Sequence, residues 1–310
     1  MGPGELRNRD TRVAAGAKAT ATLNLREFEG LAAKPFRIGV VATASRMSPE
    51  VADKVCSIAA ARYPADAVGL IFHPDTLVRS GHFAGGDATR ARAFLEMAND
   101  PAIDAVWIAR GGYGSGRIAE TVLAGLTDVA RAKAYLGYSD AGALLGALYR
   151  AGLRGAAHGP VAQDVLRPGG EAAILRALAW LVDRDPATLE PSLRPGQKAA
   201  AYNLIVLSQL IGTAMEPDLS DHVLMLEEVS EAMYRIDRSF LHITSTPNIR
   251  RVAGIRLGRC SDIPPNDPDF GMTAQEVARF WCARSGIPWL GVADIGHDAD
   301  NKIVPFGGTG

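Results

Sequence analysis

Four nearly continuous apolar runs alternate with helix-spaced stretches in the first half of the chain, and that rhythm leaves few folds open. The runs are Phe36-Arg37-Ile38-Gly39-Val40-Val41-Ala42-Thr43, Ala67-Val68-Gly69-Leu70-Ile71-Phe72, Ala105-Val106-Trp107-Ile108-Ala109 and Tyr135-Leu136-Gly137-Tyr138. Runs without polar alternation mark strands covered on both faces. Between them, Ser48-Pro49-Glu50 predicts a helix start, with serine as cap and proline in the first turn. That helix carries Val51, Val55, Ile58 and Ala59 on one face, and Ala91, Phe94, Leu95 and Ala98 predict a second over Asp87–Ala98. Strands alternating with helices require crossover connections, so the expected class is α/β with a mostly parallel, Rossmann-like sheet flanked by helices. Ligands of such sheets gather at the carboxyl ends of the strands.

The second half has a different rhythm. Helices are expected over Tyr202–Ile211, Ser230–His242 and Thr273–Arg284, and strands over His222–Glu227, Val252–Leu257 and Pro288–Val292. This predicts a smaller mixed α/β domain over residues 198–310, after a first domain at 36–165 and a linker at 166–197 that holds a helix around Ala172–Leu181. Residues 1–35 read either as a loose extension or as an extra strand around Ala21–Leu25.

Composition narrows the partners. The chain of 310 residues is 47% apolar and 22% charged, with a net charge of −1, so no basic field points to nucleic acid. No run approaches a membrane span, and the first 34 residues lack the apolar core of a secretory signal, which makes the cytoplasm the expected compartment. Cys56, Cys260 and Cys282 form no C-x-x-C pair and are expected to be reduced and mostly buried. No histidine pair stands at ligand spacing, so neither a metal nor another cofactor is expected.

Three segments could do chemistry. Leu136-Gly137-Tyr138-Ser139-Asp140-Ala141 reads as strand, sharp turn and helix, a turn that lifts a serine hydroxyl above a sheet. The same segment also fits a plain turn in which Ser139 caps the helix. Ala109-Arg110-Gly111-Gly112-Tyr113-Gly114 follows a strand and precedes a helical pattern at Ile118–Leu123. Its backbone N–H groups could cradle a phosphate, face an oxyanion, or simply turn the chain. Glu227 closes an apolar strand pattern beside Glu228, and His297 follows another strand in Asp294-Ile295-Gly296-His297-Asp298. The order Ser139, Glu227, His297 is that of many serine hydrolases, though order alone fixes no geometry.

Nine segments in sequence order resemble the LD-carboxypeptidase family, the murein tetrapeptide carboxypeptidases, which also includes the microcin C self-immunity peptidases. They are Ser80–Asp87 with Arg90, Ala109–Gly114, Gly137–Asp140, His158-Gly159-Pro160, Asn203-Leu204 through Thr213, Leu226–Glu228 through Arg238, Ala253-Gly254-Ile255 with Gly258, Gly296-His297 and Pro305-Phe306-Gly307. The resemblance spans residues 36 to 307 and implies a two-domain α/β serine peptidase, a homodimer in many such proteins, acting on a small peptide. It implies Ser139 as nucleophile, His297 as base and Glu227 as the orienting acid, with Glu228 the neighbour that could be confused with it. An oxyanion hole would come from the backbone N–H of Asp140 and one from Gly111 or Gly112. Arg110, Tyr113, His158, Asn203 and Arg238 are the expected substrate contacts, with Arg238 or Arg117 pairing with a terminal carboxylate.

Some positions depart from the family pattern. Ala201-Tyr202 stand where two glycines are usual, Asp294-Ile295 replace a more apolar approach to Gly296, and Asp298 replaces a glycine. Three functions therefore compete: removal of a terminal D-alanine from murein tetrapeptide in cell-wall recycling, cleavage of an aminoacyl-nucleotide antibiotic, and peptide binding without catalysis.

Overall fold

The computed structural model describes Met1 and residues 34–308, and the strand considered around Ala21–Leu25 lies outside the described residues. The first half gives β1 (Phe36–Val41), α1 (Glu50–Arg62), β2 (Val68–Phe72), α2 (Asp87–Asn99), β3 (Ala105–Ile108) and α3 (Ser115–Gly125). A single turn, α4 (Asp128–Arg131), leads to β4 (Ala134–Gly137), α5 (Ala141–Arg150), β5 (Ala156–His158) and α6 (Gly170–Leu178). The second half gives β6 (Lys198–Asn203), α7 (Leu204–Leu210), β7 (Val223–Val229), α8 (Met233–Ser245), β8 (Gly254–Ser261), α9 (Ala274–Ser285) and β9 (Trp289–Val292). Two short strands close the chain, β10 (Val304–Pro305) and β11 (Gly307–Gly308).

These strands build two sheets flanked by helices, as the alternation predicts. The first has six strands in the order β10-β5-β4-β3-β1-β2, and the second has five in the order β11-β6-β7-β8-β9. All pairs are parallel except β10 on β5 and β11 on β6. Every residue of β3 and β4 is buried, which is why their sequences show no polar alternation. Trp107 on β3 donates its Nε1–H to the Pro160 carbonyl at 2.7 Å, so its one polar atom is satisfied inside the core.

The short closing strands matter most for the site. The chain returns from the second sheet, adds β10 to the first beside His158, and then adds β11 to the second beside Ala199. The loop just before β10 is thereby fixed to both sheets.

Several expectations need correction. The pattern over Tyr202–Ile211 predicts one helix, but Lys198–Asn203 is a strand and the helix starts at Leu204. Asn203 caps it, its Oδ1 accepting from Val206 N at 3.1 Å. Pairing with β11 and β7 outweighs the strong helix preference of the alanines there. Ala201-Tyr202 therefore lie in a strand. The Tyr202 ring fills the groove over Gly142 and Gly146 of α5, where an added Cβ would stand 3.3 and 3.0 Å from it. Ser48 does not cap α1, whose N-cap position is Pro49, and its hydroxyl accepts from Gln163 Nε2 at 3.0 Å instead. Thr273 does open α9, in a capping box with Glu276. Within the stretch 166–197, α6 packs Ile174, Ala177 and Leu178 against Val51 and Val55 of α1. Cys282 is buried, but Cys56 is exposed on α1. No helix among the described residues is long and apolar enough to cross a membrane.

Candidate active site

Ser139 sits between β4 and α5 with φ +60°, a left-handed conformation that costs an L-residue about 1–2 kcal/mol. The turn is held by its neighbours. Asp140 is buried, and its carboxylate accepts from Gly114 N at 3.1 Å and Ser115 N at 2.8 Å, the start of α3. This ties the glycine loop after β3 to the serine turn, a role for the Asp140 side chain that the sequence reading does not contain. Burial pushes the Asp140 pKa up, against these hydrogen bonds.

The loop lies close over the serine. A Cβ on Gly111 would stand 3.1 Å from both Cβ and Oγ of Ser139. Gly112 has φ +115°, and a Cβ there would overlap Ser45 Oγ at 2.2 Å. Among the described residues, the backbone N–H groups of Gly111, Gly112 and Asp140 donate to no protein acceptor. Unspent donors beside a hydroxyl are what an oxyanion needs.

Glu227 and Glu228 are adjacent on β7 and so face opposite sides of the sheet. Register between β7 and β8 shifts at this point, with Gly258 and Arg259 opposite Glu227 alone. The bulge makes room: a Cβ on Gly258 would stand 3.0 Å from Glu227 Cβ. Glu227 is fully buried, and its Oε2 accepts from His297 Nδ1 at 2.5 Å, while Oε1 has no protein partner. Glu228 faces the other way, where its carboxylate accepts from Asn203 Nδ2 at 2.6 Å and Ile205 N at 3.0 Å. Of the two acids, Glu227 is the one that reaches the imidazole.

His297 is nearly buried and sits against Tyr138, with ring centroids 4.9 Å apart. Burial opposes its charged form, but the Glu227 carboxylate more than offsets this, and its pKa lies above the ordinary histidine value. Its loop is clamped from both sheets. Arg259 on β8 binds both Asp294 and Asp298, so the two acidic departures flanking His297 share one cation. Arg167 Nη1 donates to the His297 carbonyl at 2.7 Å. Arg176 Nη1 donates to the Ala299 carbonyl at 2.7 Å, and Asn301 Oδ1 accepts from His158 Nε2 at 2.9 Å and from Gly296 N at 3.2 Å.

Ser139 and His297 line one cavity of about 380 Å³, with Arg110, Gly111, Gly112, Tyr138 and Arg167 among its walls. Two cavities of about 930 and 920 Å³ are larger but contain none of these groups. Among the described residues, no hydrogen bond joins the Ser139 hydroxyl to the imidazole, and no cluster of three metal-ligating side chains occurs.

Of the expected substrate contacts, Arg110 lines this cavity and the others do not. His158 is buried on β5, spent on Asn301, and burial lowers its pKa. Asn203 is spent on capping α7 and on Glu228. Tyr113, more than half exposed, turns outward between the positive-φ glycines 112 and 114 and lies near His82 and Phe83. Arg238 stacks on Tyr234 at 5.5 Å on the exposed face of α8, and Arg117 is paired with Asp87. The sequence reading misses Arg167. Its only signal is an acid–base pair at i, i+3 with Asp164, shortly after His158-Gly159-Pro160.

Comparison with known proteins gives family matches over two stretches of the chain. Residues 38–159 match the family model of the LD-carboxypeptidase N-terminal domain, and residues 199–310 that of the LD-carboxypeptidase C-terminal domain. The murein tetrapeptide carboxypeptidase of Pseudomonas aeruginosa is 26% identical over 295 residues, covering 88% of this chain and 92% of that protein. The crystal structure of muramoyltetrapeptide carboxypeptidase from Oxalobacter formigenes superposes with a TM-score of 0.72 at 22% identity, covering 87% of this chain and 93% of that one. MccF in complex with glutamyl sulfamoyl guanosine gives 0.72 at 18% identity, covering 89% and 92%.

Proposed function

The chain belongs to the LD-carboxypeptidase family, a family of serine peptidases, and on that premise we propose that it removes the terminal D-alanine of murein tetrapeptide with Ser139, His297 and Glu227 as its catalytic triad. The observation that carries the reading is the 2.5 Å hydrogen bond between buried Glu227 and His297, a residue that lines the same cavity as the strained Ser139. His297 takes the proton of Ser139 Oγ as the oxygen attacks the amide carbon. The N–H groups of Asp140 and of Gly111 or Gly112 receive the oxyanion, each worth about 3 kcal/mol. His297 then protonates the leaving amine, and water releases the peptide by the same path. The hydroxyl and imidazole need no direct bond beforehand, because such contacts are often long until substrate binds.

The cavity favours a peptide over a nucleotide. Its aromatic side chains are Tyr138 and His297, and these already pack against one another, so among the described lining residues no free ring is offered to a nucleobase. Incubating the protein with murein tetrapeptide should release free D-alanine and tripeptide. No release there, with turnover of an aminoacyl sulfamoyl nucleotide, would replace the substrate, and no turnover of either would sink the peptidase reading.

A close approach such as that of Gly111 gives a second test. Gly111→Ala is expected to leave the fold intact, since no positive φ is needed there. Its methyl would displace the Ser139 hydroxyl, and a displacement of this kind lowers kcat/KM by about 100-fold. D-alanine release measured beside a thermal melt checks both halves of the expectation.

A further inference from the structure

We propose that Arg167 is the receptor for the free α-carboxylate of the residue being removed, and so the group that restricts this site to the end of a peptide. The inference rests on the peptidase reading above and deepens it. Its basis is the position of the guanidinium. Arg167 lines the cavity of Ser139 and His297, and its Nη1 donates to the His297 carbonyl. The imidazole protonates the leaving amine, so a group beside His297 lies on the leaving-group side. In a terminal residue the carboxylate carbon stands only about 2.5 Å from the scissile nitrogen. A cation on that side therefore meets the carboxylate whenever the amine meets the base.

The guanidinium is held and still has a donor to give. Nε donates to Asp164 Oδ1 at 2.8 Å, Nη1 is spent on His297, and Nη2 donates to no protein acceptor among the described residues. Asp164 is buried and shared with Tyr138 OH and Val161 N, so it fixes the guanidinium in place. Arg110 enters the cavity from the glycine loop, with Nη1 on the Arg46 carbonyl at 3.1 Å. Two guanidiniums thus face one carboxylate among the lining side chains, and the excess charge suits an anion. The arginines considered for this role from sequence are committed elsewhere, Arg117 to Asp87 and Arg238 to Tyr234.

The test compares murein tetrapeptide with the same peptide ending in D-alaninamide, which differs only at that carboxylate. Wild-type protein should prefer the acid by about 100-fold in kcat/KM, the worth of a charged hydrogen-bonded pair. Arg167→Gln also loosens the hold on the His297 carbonyl, so both rates should fall, but the acid should fall far more than the amide, mostly through KM, and the ratio should come close to one. Arg167→Lys should recover part of the preference, because it keeps the charge but not the fork. Equal losses on both peptides, or a wild type that cleaves acid and amide alike, would overturn the assignment. A purely structural role through the His297 carbonyl predicts the equal losses. Wild-type protein that cleaves neither peptide would instead remove the peptidase reading itself.

Discussion

Replacing Ser139 with alanine is expected to lower kcat by about 10⁵–10⁶-fold, the loss seen when a nucleophile is removed from a triad that works as a unit. KM should change little, because the cavity walls and both arginines remain. A residual rate above about a hundredth of wild type would mean that the hydroxyl is not the attacking group. Ser139→Gly separates this from a structural role. The backbone there has φ +60°, which costs serine or alanine about 1–2 kcal/mol and glycine almost nothing. Against that gain stands the extra freedom of glycine in the unfolded chain, about 0.5–1 kcal/mol. The glycine variant should therefore be as inactive as the alanine variant and at least as stable as wild type in a denaturant melt. A serine kept as a helix cap would instead lose about a few tenths of a kcal/mol on change to glycine and about 1 kcal/mol on change to alanine. The structure already speaks against a cap, since the N-cap position of α5 is Asp140 and no side-chain cap bond forms there.

What the sequence makes legible follows from what each residue's signal depends on. β3, β4 and β1 from Ile38 onward are buried on both faces, and their apolar runs announce them without help from the rest of the chain. Ser139 and the Gly111–Gly112 loop are legible because a turn at the end of a strand leaves a local pattern. β6 is not, because Lys198-Ala199-Ala200-Ala201-Tyr202-Asn203 is a strand only by virtue of its neighbours β11 and β7. The two-residue strands β10 and β11 carry no periodicity at all, yet they tie the chain after the His297 loop to both sheets. Which of Glu227 and Glu228 faces the imidazole depends on the side of β7 against which the His297 loop packs, which no property of the pair itself encodes. His158 and Asn203 were expected at the substrate because they belong to segments that resemble the family. Their side chains instead hold the scaffold, one pinning the His297 loop through Asn301 and the other capping α7. Arg259, which joins Asp294 and Asp298 around His297, is some 35 and 39 residues from its partners. Its role is visible only once β8 and the loop are side by side.

Glu227→Gln tests the remaining link, and its two effects point in different directions. Glutamine nearly matches glutamate in shape, so the slot opened by the β7–β8 bulge should stay filled and the fold should persist. The carboxylate can only accept a hydrogen bond, which keeps the proton on Nδ1 of His297 and leaves Nε2 bare to take the serine proton. A glutamine amide can donate to Nδ1 instead, which moves the ring proton to Nε2 and blocks that step. A wrong tautomer of this kind lowers kcat by about 10⁴-fold. The second effect is on the pH profile. With His297 as the proposed base, activity is expected to require its neutral form, so kcat/KM should rise with pH through the imidazole pKa, which the Glu227 charge holds above the ordinary value. Without that charge, burial and the Arg167 charge outweigh the smaller pull of Glu228 and disfavour the imidazolium, so the pKa falls. The acid limb of the variant should therefore lie at lower pH than that of wild type, while its plateau lies about four orders of magnitude lower. Rates of D-alanine release from about pH 5 to 9 would show both shifts at once. A limb that stays in place or moves upward would show that Glu227 does not set the charge of the base. An unchanged plateau would show that it does not set the tautomer.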